Sequence, residues 1–371
     1  MSSTRIRSTG GYSRSTDKLM LLICIVISSF SCLLMVSLYE NGFAASRIII
    51  VQSAATVIGV VAAILVSLLD YHKVVKLWPL YAVLAVGLVL ALKIPEISYM
   101  PEGSDDAAWL RVAGLSLQPS EILKLAFVYT FALHLSKVRH KINTLKTFLL
   151  LCLHGAVPTF LIMDTGDYGS ALVFVAIFAA MMFVAGLSWR FILVGLTAAL
   201  AAIPVVWIML PHYLQQRFLI AWHPETDIDN IGYQQYWGQQ ALRSGGVFGK
   251  GLFGHQENLI DVPECYNDFI FSYIGQTLGF VGCTVTVVLL AVLMAKILQT
   301  ARKSKDDLGV YICTGVFAIF LFQSIINIGM VLCVIPVVGV TLPFVSSGGT
   351  SLVISYVAVG MVLGVHRGNC R

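Results

Sequence analysis

The sequence is poor in charge. Only 12% of its 371 residues are Asp, Glu, Lys or Arg, whereas 58% are apolar. A soluble domain usually has about a quarter of its residues charged, so this chain has too few to cover a water-exposed surface. The composition therefore excludes a cytosolic enzyme, a secreted disulfide-rich domain and a disordered scaffold. It predicts a polytopic membrane protein.

Paired cysteines are also missing. Of the eight cysteines, six lie in apolar stretches, one lies in the C-terminal tail, and Cys265 alone falls in a predicted loop. Without a CxxC pair, this pattern excludes a disulfide framework and gives no support to a zinc or redox site. The net charge is only +5, from 24 basic and 19 acidic residues. We expect no nucleic-acid partner, because the positions of the basic residues are those that set the orientation of a protein in the membrane.

Uncharged apolar segments are abundant, and their lengths are close to the roughly 20 residues that span a bilayer. We predict an all-α fold of about ten transmembrane helices in a single membrane domain, 1–371. The predicted segments are 19–39, 48–69, 77–94, 119–135, 146–163, 170–187, 191–211, 269–295, 308–336 and 351–365.

The distribution of charge predicts the orientation. If the tail 1–18 is cytoplasmic, seventeen of the 24 Lys and Arg residues lie on the inner side, and fifteen of the 19 acidic residues lie on the outer side. This asymmetry is the one that the positive-inside rule describes. We therefore predict that both termini are cytoplasmic.

Two predicted outer loops are long, 95–118 and 212–268. The second, between the seventh and eighth helices, far exceeds the few residues that join adjacent helices, and such loops are usually functional or disordered. It contains Trp222, Tyr233 and a glycine cluster, a composition that is not typical of disorder. We therefore expect the working part of the protein to face the outer side.

A polar motif marks the start of the fourth helix. Pro119 suits the first helical position, and Glu121 and Lys124 then share one face. Lys124 lies roughly 8 Å into the helix at about 1.5 Å per residue. Charges at that depth usually face a protein interior or an aqueous cavity, which favours a functional site. The alternative is a structural pair in which Lys124 reaches back to the interface.

Two further carboxylate motifs flank predicted helices. Asp164 and Asp167 form a turn between the fifth and sixth helices, where they would hold a cation, orient a lysine, or simply build the turn. Asp268 begins the eighth helix, where spacing alone favours a helix N-cap. The segment 336–351 has two prolines and three glycines, and non-helical backbone near membrane depth favours a cavity lining over an ordinary loop.

A set of short motifs occurs in order along the chain: Trp109, Gln118-Pro119-Ser120-Glu121, Lys124, Asp167-x-Gly169-Ser170, Arg217, Gly232-Tyr233-Gln234, Ser244-Gly245-Gly246, Gly249-Lys250-Gly251, Asp268-Phe269, Gly279-x-x-Gly282, Asn327, Leu342-Pro343 and Gly348-Gly349. In this order and spacing they resemble the SEDS family (shape, elongation, division and sporulation), the RodA/FtsW-like proteins. The resemblance extends over nearly the whole chain.

The resemblance implies a peptidoglycan glycosyltransferase of the bacterial cytoplasmic membrane, active in cell elongation or division. Such proteins polymerise lipid II, an undecaprenyl-diphosphate-linked disaccharide peptide, at the outer face, together with a class B penicillin-binding transpeptidase. The resemblance also implies that Asp268 is the catalytic general base, which replaces the expectation of a helix cap. The candidate substrate-binding residues are Trp109, Gln118, Ser120, Glu121, Lys124, Asp167, Arg217, Tyr233, Gln234, Ser346 and Gly348.

The resemblance does not identify a cofactor. The lipid diphosphate leaving group needs cationic stabilisation, for which Lys124, Arg217 or a divalent metal (Mg or Mn) are the candidates. The sequence departs from the usual family pattern at Ala108, Asn267, Gln276 and Ser347, where the family commonly has Arg, Thr, an acidic residue and Tyr. These departures affect the expected cation and partner contacts and leave Asp268 in place.

Two other functions remain open. The protein could move a lipid-linked cell-wall precursor across the membrane, since intramembrane charges and a broken helix connection are typical of transport paths. Against this, the charges cluster near the outer side and not at the midplane. The protein could also be a scaffold that only activates a transpeptidase.

Overall fold

The computed structural model describes residues 17–99, 108–112, 115–253 and 256–370. Within these ranges the chain is a helical bundle. Its α-helices are α1 (Lys18–Glu40), α2 (Arg47–Leu68), α3 (Tyr71–Val74), α4 (Trp78–Ala91), α5 (Pro119–Val138), α6 (Leu145–Met163), α7 (Tyr168–Val184), α8 (Trp189–Met209), α9 (His212–Ile220), α10 (Tyr233–Ser244), α11 (Ile270–Arg302), α12 (Asp307–Val331) and α13 (Gly349–Cys370). Short 3-10 helices span Val75–Leu77, Arg139–Lys141, Pro224–Thr226 and Gln256–Asn258.

Among the described residues, eight helices are long and apolar enough to cross a membrane. They are α1, α2, the continuous stretch Tyr71–Ala91, α6, α8, α11, α12 and α13. The other two predicted segments are also helical: α5 carries Glu121 and Lys124, and α7 has only 17 residues. The prediction of an α-helical polytopic membrane protein is confirmed, while the count of ten spans stays a prediction.

Helix α12 lies at the centre of the bundle and packs against α5, α7, α10, α11 and α13. Helices α2 and α13 pack closely on each other because glycines face the contact. A Cβ added at Gly59 would lie 2.4 Å from Tyr356 Cδ2, and one added at Gly360 would lie 2.8 Å from the Ala63 carbonyl oxygen. By contrast, no residue of α8 is buried, so this helix lies at the edge of the bundle.

A small sheet replaces part of the predicted first outer loop. Its strands β1 (Ser98–Tyr99), β2 (Trp109–Val112) and β3 (Leu115–Leu117) pair antiparallel in that order, with Leu110 opposite both Ser98 and Leu117. The sequence analysis predicts an outer loop over 95–118 but does not predict these strands, because strands of two to four residues are too short to show an alternating pattern. Positions 100–107 and 113–114 of that loop lie outside the described residues, as does most of the tail 1–18.

The second outer loop contains helices α9 and α10. Its glycine cluster packs against a break in α11 at Gly279, which has φ +67° and ψ −163°. At this break the backbones of the glycine cluster and of α11 form hydrogen bonds with each other, as neighbouring strands of a sheet do. Phe280 N donates to Gly246 O at 2.9 Å, and Lys250 N donates to Gln276 O at 3.0 Å. A side chain at Gly245 would clash with the Gly275 carbonyl oxygen, so the glycines permit a close backbone approach.

Helices α12 and α13 are joined by a non-helical segment, 332–348, which we call the connecting segment. Leu342, Phe344 and Val345 are buried within it. Its backbone is turned by positive φ angles at Cys333, Gly339 and Phe344. Phe344 packs between the rings of Phe320 and Tyr356. Residues 340–346 of the segment therefore belong to the core, whereas the sequence analysis predicts a cavity lining over 336–351.

Candidate functional site

Asp268 lies at the end of the second outer loop and is half-buried. The N-cap of α11 is Phe269, with no side-chain cap hydrogen bond of its own, and Asp268 directly precedes it. The ring of Phe269 is buried, and a Cβ added at Gly238 of α10 would lie only 2.7 Å from it. The residue next to Asp268 therefore anchors the backbone in the core.

The backbone at Asp268 is also fixed by Asn327 of α12. The fully buried Asn327 amide donates to Asp268 O at 2.8 Å and to Val340 O at 2.7 Å. One side chain thus ties the aspartate to the connecting segment. The segment turns at Gly339, where φ is +64°, and a Cβ added there would lie 3.5 Å from Asp268 Oδ2. The connecting segment therefore forms one wall beside the carboxylate.

Ser346 strengthens the same junction. Its hydroxyl donates to Asn267 O at 2.7 Å and accepts from Leu342 N at 2.8 Å. Ser347 N donates to Tyr266 O at 2.8 Å. The structure therefore gives Ser346, predicted to bind substrate, a role in holding the loop before Asp268.

Gly348, the other substrate-binding residue predicted on this segment, is held by α2. Its N–H donates to Gln52 Oε1 at 3.2 Å, and Gln52 Nε2 donates to Ser31 Oγ and Ser346 O at 2.8 and 3.1 Å. The sequence analysis missed Gln52. A glutamine within an apolar helix was the available signal, since intramembrane polar groups seek internal partners.

Glu121 and Lys124 form a buried ion pair on α5. Lys124 Nζ lies 2.7 Å from Glu121 Oε1, and the two side chains are only 1% and 6% exposed respectively. Gln323 of α12 also reaches Glu121 Oε1, at 3.5 Å. The alternative in which Lys124 reaches back to the interface is therefore wrong, because its ammonium group points to Glu121 inside the bundle.

Asp167 joins the outer ends of α5 and α7. It caps α7 by accepting from Ser170 N at 2.8 Å, and its other oxygen accepts from Gln118 Nε2 and Ser120 Oγ, both at 3.2 Å. Asp164 instead pairs with Lys93 at 2.6 Å on the surface. The two carboxylates of the turn thus have different partners, and Asp167 positions the predicted residues Gln118 and Ser120.

A pocket of about 450 Å³ collects three predicted substrate-binding residues, Arg217, Tyr233 and Gln234. Arg217 is half-buried, and its guanidinium carbon lies 5.8 Å from the centre of the Tyr213 ring. Val337 of the connecting segment and Pro263 of the Asp268 loop also line the pocket. The segments that hold Asp268 therefore continue into a pocket that contains a cation.

Trp109 lies in β2 and is partly buried. The neighbouring Ala108 is buried, whereas Arg111 is exposed and stacks over the Tyr99 ring at 4.8 Å. The sheet contacts the start of α13 through Thr350, whose hydroxyl donates to Ser116 O at 2.7 Å. Trp109 is thus placed on the sheet that precedes the Glu121 helix.

The loop before Asp268 also contains Cys265. Burial, followed by the charges of Asp261 and Glu264, raises the pKa of this thiol to about 12. It therefore stays protonated at neutral pH and is not a nucleophile. Within the described ranges, no group of three or more His, Cys, Asp or Glu residues is placed to hold a metal ion.

The bundle and its outer polar junction define a polytopic membrane protein with a carboxylate site at one membrane face. Residues 14–370 match the family model FtsW/RodA/SpoVE, described as "Cell cycle protein". The chain belongs to this family, which confirms the resemblance to the SEDS proteins.

Several curated relatives are similar over almost their whole length. A "Probable peptidoglycan glycosyltransferase FtsW" of Trichlorobacter lovleyi is 31% identical over 369 residues, which is 95% of this chain and 93% of the relative. "Peptidoglycan glycosyltransferase MrdB" of Escherichia coli K12 is 30% identical, covering 94% and 93%. "Stage V sporulation protein E" of Bacillus subtilis is 32% identical, covering 84% of each chain.

Two solved structures share the fold. One is described as "Structural coordination of polymerization and crosslinking by a peptidoglycan synthase complex"; its matching chain has a TM-score of 0.81 and 26% identity, with coverage of 96% of this chain and 99% of that one. The Rod shape determining protein RodA of Thermus thermophilus has a TM-score of 0.71, 23% identity and the same coverage. The second likeness concerns the fold alone.

Proposed function

We propose that this chain is a peptidoglycan glycosyltransferase that polymerises lipid II at the outer face of the bacterial cytoplasmic membrane, with Asp268 as general base. The observation that carries the proposal is the placement of Asp268. Its carboxylate is half-buried, on a backbone fixed by Asn327, beside a wall that continues into the Arg217 pocket. The names of the relatives support the reaction class.

The proposed reaction joins the acceptor sugar to the donor sugar. The acceptor hydroxyl oxygen attacks the anomeric carbon of the donor, forming the glycosidic bond while the bond to the lipid diphosphate breaks. Asp268 takes the hydroxyl proton, and the diphosphate leaves on the opposite face, so the configuration inverts. A fixed backbone at Asp268 serves this step because a general base must lie within hydrogen-bonding distance of the proton that it removes.

The leaving diphosphate needs a cation more than it needs an acid. The structure favours Arg217 over Lys124 for this contact, because Arg217 lines the pocket whereas the Lys124 side chain is only 1% exposed. A divalent metal stays a prediction. Mg²⁺ is commonly held by one or two carboxylates together with substrate phosphates, so Asp268 and the diphosphate are its candidate ligands.

A transpeptidase partner of the class B penicillin-binding type is part of the proposal. Its support is the similarity to a chain of a peptidoglycan synthase complex. In the transporter alternative, Lys124 would be expected to face a path, and the structure instead pairs Lys124 with Glu121, to which Gln323 also donates. The geometry thus favours the polymerase.

Purified protein with a class B transpeptidase, reconstituted with fluorescent lipid II, tests the proposal. The wild type should produce glycan strands, and Asp268→Asn should not. Asp261→Asn is the matched control, because Asp261 is an exposed aspartate of the same loop. If Asp268→Asn produced as much glycan as the wild type, Asp268 would not be the general base. Movement of lipid II across liposomes without any polymer would favour the transporter.

A further inference from the structure

A second cavity lies away from Asp268, in a groove between α4, α5 and α6. It has a volume of about 500 Å³ and runs along α5 from Leu123 to Lys137. The fourteen steps from Leu123 to Lys137 cover about 21 Å at roughly 1.5 Å per residue, which is most of the thickness of a bilayer. Leu150, Leu153 and Val157 of α6 line the groove and are exposed on the bundle surface. The groove is thus long, apolar and open towards the surrounding lipid.

The inner half of the groove contains a chain of polar side chains. Thr130 Oγ1 donates its only proton to Phe127 O at 3.1 Å, so it accepts from His154 Nε2 at 3.2 Å. With its proton on Nε2, a neutral His154 accepts at Nδ1 from His134 Nδ1, at 3.0 Å. The chain ends at His134 Nε2. This atom has no hydrogen-bond partner within the part of the chain that the structure describes.

The same end of the groove is basic. Lys137 lies one turn beyond His134, lines the groove and is exposed. The chain then continues into Arg139, which pairs with Asp307, and into His140 and Lys141. Among the described residues, no acidic side chain lines the groove. The groove therefore combines an apolar channel with a cation and a hydrogen-bonding nitrogen at one end. The charge distribution predicts that this end lies at the cytoplasmic face.

We propose that this groove binds an acidic phospholipid with a hydroxylated headgroup from the cytoplasmic leaflet. The phosphate is attracted to Lys137, a headgroup hydroxyl donates to His134 Nε2, and an acyl chain lies along the apolar walls. The lipid tail of the glycosyltransferase substrate fits this groove less well. Its diphosphate belongs at the outer end with Asp268, whereas the polar end of the groove is at the opposite end of α5.

Native mass spectrometry of the full-length protein tests the proposal, with equal amounts of dioleoyl phosphatidylglycerol and dioleoyl phosphatidylcholine added. The wild type should retain phosphatidylglycerol in preference. Lys137→Gln should weaken phosphatidylglycerol binding roughly fivefold, the effect of one cation near an anionic headgroup. Lys146→Gln is the matched control, because Lys146 is exposed at the same end of the bundle but does not line the groove. Leu153→Trp should reduce binding of both lipids by filling the groove.

Equal retention of both lipids by the wild type would overturn the proposal, as would equal losses in Lys137→Gln and Lys146→Gln. Displacement of phosphatidylglycerol by undecaprenyl diphosphate would assign the groove to the substrate instead. Helical content measured by circular dichroism checks that each variant is folded. Since Leu153 is on the outside of the bundle, its replacement tests the groove without disturbing the core.

Discussion

At the scale of single residues, we expect the strongest electrostatic effect on stability at the buried ion pair of Glu121 and Lys124. Two charges inside the bundle are tolerated because they neutralise each other at 2.7 Å and because Gln323 adds a donor. Removing one partner from such a pair leaves the other charge uncompensated. The pair thus has a structural role that is separable from any contact with substrate.

We expect Lys124→Met to destabilise the protein by about 3–5 kcal/mol, since it leaves the Glu121 carboxylate unpaired. The double variant Lys124→Met/Glu121→Met should recover most of this loss. Thermal unfolding followed by tryptophan fluorescence measures both effects. Equal destabilisation of the single and double variants would show that the ion pair is not the reason for the loss.

The polymerisation assay on the same double variant separates stability from binding. If Lys124 only supports the bundle, the stable double variant should retain activity. If it handles the diphosphate, activity should fall although the protein is folded. The structure favours the first result, because Lys124 is 1% exposed.

Arg217 is the cation that the structure places in an accessible pocket. We expect Arg217→Gln to lower the rate at subsaturating lipid II roughly tenfold, through the loss of a charge-assisted contact with the diphosphate. Rates at increasing lipid II concentration measure this effect. Arg243→Gln is a suitable control, because Arg243 is an exposed arginine of the same outer loop outside the pocket lining. Similar losses in both variants would exclude a specific role for Arg217.

At the scale of elements, the connecting segment links the carboxylate site to the core. Gly339 permits its turn, since φ of +64° is unfavourable for any residue with a Cβ. We expect Gly339→Ala to cost about 1 kcal/mol of stability and to place a methyl group in van der Waals contact with Asp268 Oδ2, where it covers part of the carboxylate. Activity should therefore fall by more than the loss of folded protein explains.

Gly186 provides the matched control for this backbone effect. Its φ is +86°, and a Cβ there would have no atom within 4 Å. Gly186→Ala should therefore lower the stability by a similar amount through backbone strain, while activity is retained. Thermal unfolding and the polymerisation assay on both variants make the comparison. Equal activity losses would mean that strain alone, and not the wall beside Asp268, accounts for the effect.

The elements also show what the sequence predicts and what it does not. The fourth apolar segment, 119–135, begins where α5 begins, because Pro119 marks a helix start. The ninth, 308–336, runs past the end of α12 at Val331. Its last residues, 332–336, belong to the connecting segment, and apolarity alone does not distinguish apolar coil from helix.

The site was predicted only in part for a similar reason. Asp268 has the spacing of a helix cap, and only the resemblance assigned it to catalysis. Its supports, Asn327 and Gln52, act across the bundle through contacts with distant segments. Such pairings depend on the packed fold, which local patterns do not encode. For Gln52, which the sequence analysis missed, a glutamine within an apolar helix was the available signal.

At the scale of the whole molecule, the bundle depends on close helix packing around α2 and α13. We expect Gly360→Leu to lower the Tm, because a Cβ at Gly360 already meets the Ala63 backbone, and overpacking typically costs about 1–3 kcal/mol. Gly195→Leu on α8 is the control, since no atom lies within 4 Å of a Cβ there. A Tm that falls equally in both variants would contradict this account of the packing.

The initial rate of glycan polymerisation by Asp268→Asn, measured with the transpeptidase partner and saturating lipid II, tests the central claim most directly. The substitution keeps the size of the side chain and removes its basicity. We predict a rate at least about 100-fold below that of the wild type, the usual contribution of a general base, with lipid II binding retained. A rate within a few-fold of the wild type would contradict the assignment of Asp268 as the base.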